Sequence, residues 1–219
     1  MFYFRFGDIR GDLEIGLQDK SDNLDYFYAF TKLHCFNEMI HNEGVINKNK
    51  FFNKKNFNEI ISLVENNKDE IYKNHPNLLI IYFVVNMFHT LDDKYLYGLI
   101  DYLKSKEKRF RKKNLKYYYH YVTQYFVKKT NMGHVEFRQK AFEMYKYMKE
   151  RRLFVIDNII TDFEYNNVVN ICLSLKEYAW VDGYIEEYKK YLDPNFASDA
   201  YNLAKAKLLF HRKEFDNIF

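Results

Sequence analysis

Three side chains in the first half of the chain have a spacing that could bind a metal ion. His34, Glu38 and His41 are four and three residues apart, so a helix would place them on one face. Imidazole and carboxylate groups are zinc ligands, but such sites usually draw their ligands from several segments of a chain. We therefore interpret the trio as a partly exposed histidine pair, and the sequence predicts no metal site and no cofactor.

Two pairs of adjacent carboxylates are the next candidates for chemistry. Asp92 with Asp93, and Glu186 with Glu187, lie at predicted helix starts and surfaces, where they favour a helix dipole or solvent over acid–base catalysis. The chain contains none of the common phosphate-binding, metal-binding or nucleophile motifs, and its 7 glycines are too scarce for a phosphate-cradling loop. We expect a protein that is not an enzyme.

A basic cluster is the strongest charge feature of the sequence. Residues 104–116 contain eight Lys or Arg and one Glu, a net +7, whereas the whole chain carries only +4. Four tyrosines follow at positions 117, 118, 119 and 121, and cations beside aromatic rings are typical of a nucleic-acid surface. The cations of this hypothesis are Lys108, Arg109, Arg111, Lys112, Lys113 and Lys116. The other interpretation is a helix junction: one helix ends near residue 109, where cations suit the dipole, and the next begins near residue 113.

Composition favours helices. The 219 residues include 21 Tyr and 21 Phe but only 7 Gly and 2 Pro, too few turn-forming residues for a fold of many short strands. Cys35 and Cys172 have no partner at metal-ligand spacing and lie in apolar surroundings, so we interpret both as reduced and structural. No secretory signal is apparent, and the longest apolar run, residues 78–88, is far shorter than the roughly 20 residues of a spanning helix. We predict a soluble, cytoplasmic protein with this run as a buried core helix.

Hydrophobic periodicity and capping signals predict the order of helices. The first covers residues 22–42, and from Pro76 helices are expected at 76–90, 92–109, 113–130 and 134–151. Thr161 and Glu164 form a T-x-x-E capping box before a further helix, followed by helices at 178–192 and 196–213. Short junctions make neighbouring helices antiparallel hairpins. The predicted organisation is an N-terminal extension, 1–21, and a single helical-repeat domain, 22–219.

The last third of the chain contains an internal repeat. ICLSLKEYAWV, residues 171–181, aligns with LLFHRKEFDNI, residues 208–218, at a constant offset of 37 residues. Lys176 and Glu177 recur as Lys213 and Glu214, and Tyr178 becomes Phe215. A period of this size is typical of stacked helical hairpins, each of which completes its core against its neighbours.

These segments resemble the tetratricopeptide repeat. YNLAKAKLLFHRKEFDNIF is similar to the first helix and turn of that repeat, with Ala206 at the small position, Leu209 at the large one, and Phe215 and Ile218 opening the second helix. The unit VVNICLSLKEYAWVDGYIEEYKKYLDP is similar too, but has Tyr188 where a small residue is usual. The pattern as a whole is similar to uncharacterised bacterial proteins with degenerate repeats. This resemblance implies an all-α fold in which antiparallel hairpins stack into an α-α superhelix. Because the repeat predicts a longer final helix, we expect that the chain is the first part of a longer protein or a fragment cut at Phe219.

The resemblance also implies a binding groove lined by the first helix of each hairpin. In the helix at 113–130, Leu115, Tyr118, Val122 and Tyr125 share the face that we expect to pack. The groove candidates are Tyr117, Tyr121, Gln124, Lys128, Asn166, Asn170, Lys207 and His211. We predict a scaffold that binds a peptide or protein segment, with nucleic-acid binding through the basic cluster as the alternative and no membrane partner.

Overall fold

The structure is a computed structural model that describes residues 9–41, 54–155 and 157–214. Ten α-helices follow one another in this part of the chain, and the described residues form no strand beyond an isolated bridge between Ile160 and Leu192. The all-α prediction is confirmed. The helices are α1 (Ile9–His41), α2 (Lys54–Asn66), α3 (Lys68–Asn74), α4 (Pro76–Thr90), α5 (Asp93–Ser105), α6 (Lys112–Asn131), α7 (Glu136–Glu150), α8 (Asp162–Ser174), α9 (Tyr178–Tyr188) and α10 (Ala197–Arg212).

Two compact units divide the chain, Met1–Asp101 and Tyr102–Phe219, which we call unit 1 and unit 2. In unit 1, α4 is the central helix and packs against α1, α2 and α3. Every residue from Leu78 to Phe88 is buried, as predicted for this apolar run. No helix in the described ranges is both long and apolar enough to cross a membrane.

The first helix differs from its prediction. α1 begins at Ile9, well before the expected start at residue 22. Its buried stripe is Tyr26, Ala29, Leu33 and Phe36, at spacings of three and four, whereas Cys35 is exposed. Both cysteines are free thiols, as predicted, but the interpretation of Cys35 as a structural residue in apolar surroundings is wrong, because the apolar residues around it in sequence belong to other faces of the helix. Cys172 is buried, as expected.

A glycine permits a close contact between α4 and α5. A Cβ atom at Gly98 would lie 2.7 Å from Cε1 of the buried Phe83 ring, so a larger residue would force the ring to move. Gly183 in α9 differs, because a Cβ atom there would have no other atom within 4 Å. Only the first glycine is required by packing.

In unit 2, the packing order follows the chain: α6 packs against α7, α7 against α8, and α8 against α9. α10 then packs against both α8 and α9. The predicted capping box at the start of α8 is confirmed, since the Thr161 side chain accepts from the Glu164 backbone and the Glu164 side chain accepts from the Thr161 backbone. Ile160 donates its backbone N–H to the carbonyl of Tyr191 at 2.8 Å, which fastens the loop before α8 to the end of the next hairpin.

Candidate functional site

The two helices that share the 37-residue repeat lie side by side and join through equivalent residues. Nζ of Lys207 on α10 donates to Oδ1 of Asn170 on α8 at 2.9 Å, and these positions are 37 residues apart. Asn170 is exposed and Lys207 is half-buried. The predicted candidates Asn166 and His211 lie on the same two helices. Asn166 donates to the backbone of its own helix at Asp162, and His211 is exposed.

The candidates on α6 divide between solvent and core. Tyr117 is 50% exposed but Tyr121 only 6%, so the Tyr121 ring packs and does not form an open groove surface. The two hydroxyls are 2.7 Å apart and the rings meet edge-on at 5.0 Å, so Tyr117 covers its neighbour one turn away. Gln124 is half-buried against His120, 2.8 Å away, and Lys128 is exposed. The face that was expected to pack does so at Leu115, Val122 and Tyr125, and Tyr118 is half-buried.

A carboxylate that sequence reasoning treated only as a cap connects α6 to α8. Glu164 accepts from Nζ of Lys116 at 3.2 Å, and Nδ1 of His120 lies 3.6 Å from its other oxygen. The Lys116 and Glu164 side chains are only 15% and 19% exposed, so this ion pair is shielded from solvent. The T-x-x-E motif predicts the role of Glu164 as a helix cap, but it gives no sign that Glu164 also pairs with Lys116 on α6.

The basic cluster occupies the connection between α5 and α6, which confirms the helix junction. Lys108 and Arg109 lie in a 3-10 turn, Glu107–Arg109, and both are exposed. The next four cations of the nucleic-acid hypothesis are Arg111, Lys112, Lys113 and Lys116, of which all but Lys116 are exposed. Lys113 pairs with Asp157 at 2.9 Å on the surface.

A concavity of unit 2 lies elsewhere, among α7, α9 and the loop after α7. It encloses about 690 Å³, and we call it the aromatic cleft. Its lining comprises Lys146, Lys149, Glu150, Arg152, Phe154, Val155, Trp180, Glu187, Tyr188 and Tyr191. Sequence reasoning missed it, although Trp180, Tyr184 and Tyr188 recur every four residues and Tyr188 was noted as a departure from the repeat pattern.

Charged side chains on α9 and α10 form ion pairs between these two helices. Lys205 Nζ lies 2.9 Å from Oδ1 of Asp182 and 3.2 Å from Oε1 of Glu186. Glu186 also accepts from Lys189 at 2.7 Å and from the Tyr201 hydroxyl at 2.9 Å. The hydrogen bond from Lys189, helped by those from Tyr201 and Lys205, lowers the pKa of Glu186 to about 2.

Comparison with protein-family models, with curated proteins and with solved structures finds no match for this chain. Across the described residues, no three His, Cys, Asp or Glu side chains gather as metal ligands would. The geometry of the described residues is therefore the basis for any functional assignment.

Proposed function

We propose that unit 2 is a module that binds a peptide or protein segment across the polar faces of α8 and α10. The supporting observation is the contact between Asn170 and Lys207, which places equivalent positions of two successive repeats next to each other on neighbouring helices. Stacked repeats create extended surfaces in this way, because each copy contributes the same position to one continuous face. This arrangement supports the resemblance to tetratricopeptide arrays and a tetratricopeptide-like superhelix.

The chemistry of the pair suits a polypeptide partner. The Asn170 amide carries both donors and an acceptor, while Lys207 supplies up to three donors, one of which its bond to Asn170 already uses. Backbone carbonyls and carboxylates of an extended segment would be natural acceptors for the remaining donors. We therefore propose a scaffold that is not a catalyst.

A selection experiment tests this proposal. Peptides that bind the full chain would be selected from a random display library, and their dissociation constants measured by fluorescence anisotropy. Asn170→Ala with Lys207→Ala should weaken a selected peptide by about tenfold or more, since each charge-assisted hydrogen bond contributes about 1.5–3 kcal/mol.

A matched control is the pair Asn202→Ala with Lys176→Ala, which removes the same two residue types from exposed positions of unit 2 that take no part in the contact between Asn170 and Lys207. This control should bind like the unaltered protein. Equal affinity for both double variants would place the binding surface elsewhere, and a selection without any binder would argue against the function itself.

Nucleic-acid binding through the basic cluster is a second proposal, favoured by the exposure of Lys108, Arg111 and Lys112 at one helix junction. Lys116 is unsuited to it, because its ammonium group is shielded and paired with Glu164. Oligonucleotide binding should fall steeply with salt and on changing Lys112 and Lys113 to Glu. A flat salt response would exclude this function.

A further inference from the structure

The aromatic cleft has a firm floor of stacked rings. Trp180 and Tyr184 stack at 5.7 Å with planes 7° apart, and Tyr184 stacks on Tyr188 at 4.7 Å. Phe154 meets both tyrosines edge-on at 5.3 Å from the loop side. Tyr184 is fully buried within this ladder, whereas Trp180 is half-buried and lines the cleft. A flat ligand ring would find aromatic surface that is already held in place.

One lysine lies beside these rings. Nζ of Lys149 lies 5.5 Å from the centre of the Trp180 ring and 5.9 Å from that of Tyr188. Lys149 also pairs with Glu187 at 2.7 Å, but both side chains are partly exposed, and exposed ion pairs of this kind are weak. An anionic ligand could therefore replace Glu187 as the partner of Lys149. Glu150 also lines the cleft. Its side chain is exposed and would repel an anion bound on its side of the cleft.

Arg152 at the rim is an available anchor for an anion. It is exposed, and its guanidinium has no hydrogen-bond, ion-pair or ring partner among the described residues. Its backbone has a φ of 56°, the left-handed conformation of the residue that follows a helix C-cap, and its N–H donates to the Lys149 carbonyl at 3.0 Å, so the end of α7 fixes its position. Lys190, also exposed, lies beside the cleft with Nζ 4.9 Å from the centre of the Tyr191 ring. Arg152 is therefore a cation of the cleft that has no carboxylate partner in the described part of the chain.

We propose that the aromatic cleft binds a small anion that carries a flat aromatic ring, the chemical class of nucleoside phosphates. The ring would stack at Trp180, and the anionic group would bind Arg152 and Lys149. A volume of about 690 Å³ lies within the range of small-molecule sites, about 300–1,000 Å³. A cationic ligand fits less well, since the Lys149 ammonium beside the rings and the Arg152 guanidinium at the rim would repel it.

Trp180 makes a direct test possible, because it is the only tryptophan in the chain. Its fluorescence would be followed while the full chain is titrated with AMP, with adenosine, with inorganic phosphate and with choline. AMP should change the signal in a saturable way. Adenosine lacks the anion and phosphate lacks the ring, so each should bind about tenfold more weakly or worse. Equal affinity for AMP and adenosine, or tighter binding of choline than of AMP, would overturn the proposal.

Two exposed cations at left-handed positions provide a matched pair of variants. Arg152→Ala should weaken AMP binding by about tenfold, measured by calorimetry, because one charge-assisted contact is lost. Lys176, which is exposed with a φ of 62°, lies outside the cleft, so Lys176→Ala should bind AMP like the unaltered chain. Equal effects of the two substitutions, or no saturable response to AMP, would refute the assignment.

Discussion

Two neighbouring tyrosines in the core of unit 2 differ by one hydrogen bond. Tyr165 and Tyr184 are both fully buried, and their ring centres are 5.5 Å apart. The Tyr165 hydroxyl donates to the backbone carbonyl of Ile185 at 3.1 Å. The Tyr184 hydroxyl is buried with no hydrogen-bond partner among the described residues. Replacement of each tyrosine by phenylalanine removes the same atom, so the two variants isolate the effect of the bond.

The expected free energies have opposite signs. Tyr165→Phe should destabilise unit 2 by about 1 kcal/mol, the usual net contribution of a hydrogen bond. The loss should not be larger, because the Ile185 carbonyl still accepts the backbone N–H of Lys189. Tyr184→Phe should stabilise unit 2 by about 1 kcal/mol, since an unpaired buried hydroxyl costs about 1–3 kcal/mol. The two variants should therefore differ by about 2 kcal/mol.

Urea denaturation, followed through Trp180 fluorescence, measures this difference in unit 2. The slopes of the transitions should agree among the variants, so that a shift in midpoint reports stability alone. Equal destabilisation by Tyr184→Phe and Tyr165→Phe would contradict this difference, because both hydroxyls would then be hydrogen-bonded.

Three further predictions concern other parts of the molecule. Gly98→Ala should destabilise unit 1 by about 1 kcal/mol, because the cost of overpacking against Phe83 exceeds the gain in helix propensity. Gly183→Ala should stabilise unit 2 by about 0.5–1 kcal/mol, because the added methyl group has open space. Denaturation curves that rank the two variants in the reverse order would contradict the packing at Gly98. The hydrogen bond from Lys189 lowers the pKa of Glu186 from its ordinary value of 4.5 to about 2. The charged form of Glu186 therefore stabilises the folded state above pH 4.5, and this contribution is lost as the pH falls towards 2. Glu186→Gln should therefore reduce the drop in urea midpoint between about pH 5 and about pH 3, and an unchanged drop would show that the ion pairs contribute nothing. A thiol reagent should modify Cys35 in the folded protein and Cys172 only after unfolding, because burial raises the pKa of the Cys172 thiol; rapid reaction of both would contradict that burial.

The parts of the fold that could be predicted are those encoded within single helices. The apolar run at 78–88 and the capping box at Thr161 depend on residues a few positions apart, and both are found as expected. The pair Asn170 and Lys207 is a longer-range case, since they are far apart in sequence but lie together. The 37-residue repeat allowed both residues to be assigned to one surface, because equivalent positions of stacked repeats face the same way.

The parts that could not be predicted depend on which neighbour covers each face. Tyr121 was assigned to an open face from its position on α6, yet Tyr117 and the surrounding core bury it. Lys116 belonged by composition to the basic cluster, but a glutamate at the start of α8 removes it from that surface. Helical periodicity defines the direction of a side chain, whereas its exposure depends on helices that are distant in sequence.

The aromatic cleft shows what a departure from a repeat pattern can indicate. A small residue at position 188 would leave Phe154 and Tyr184 without the ring that each contacts there, and Lys149 without one of its two aromatic partners. The large residue that weakens the resemblance therefore forms part of the wall of the aromatic cleft. Tyr188 is only 5% exposed, so its ring belongs both to the core of unit 2 and to the wall of the cleft. Tyr188→Ala should accordingly weaken AMP binding while leaving binding of the peptide selected on α8 and α10 unchanged, and equal loss of both would show that the ring serves only the fold.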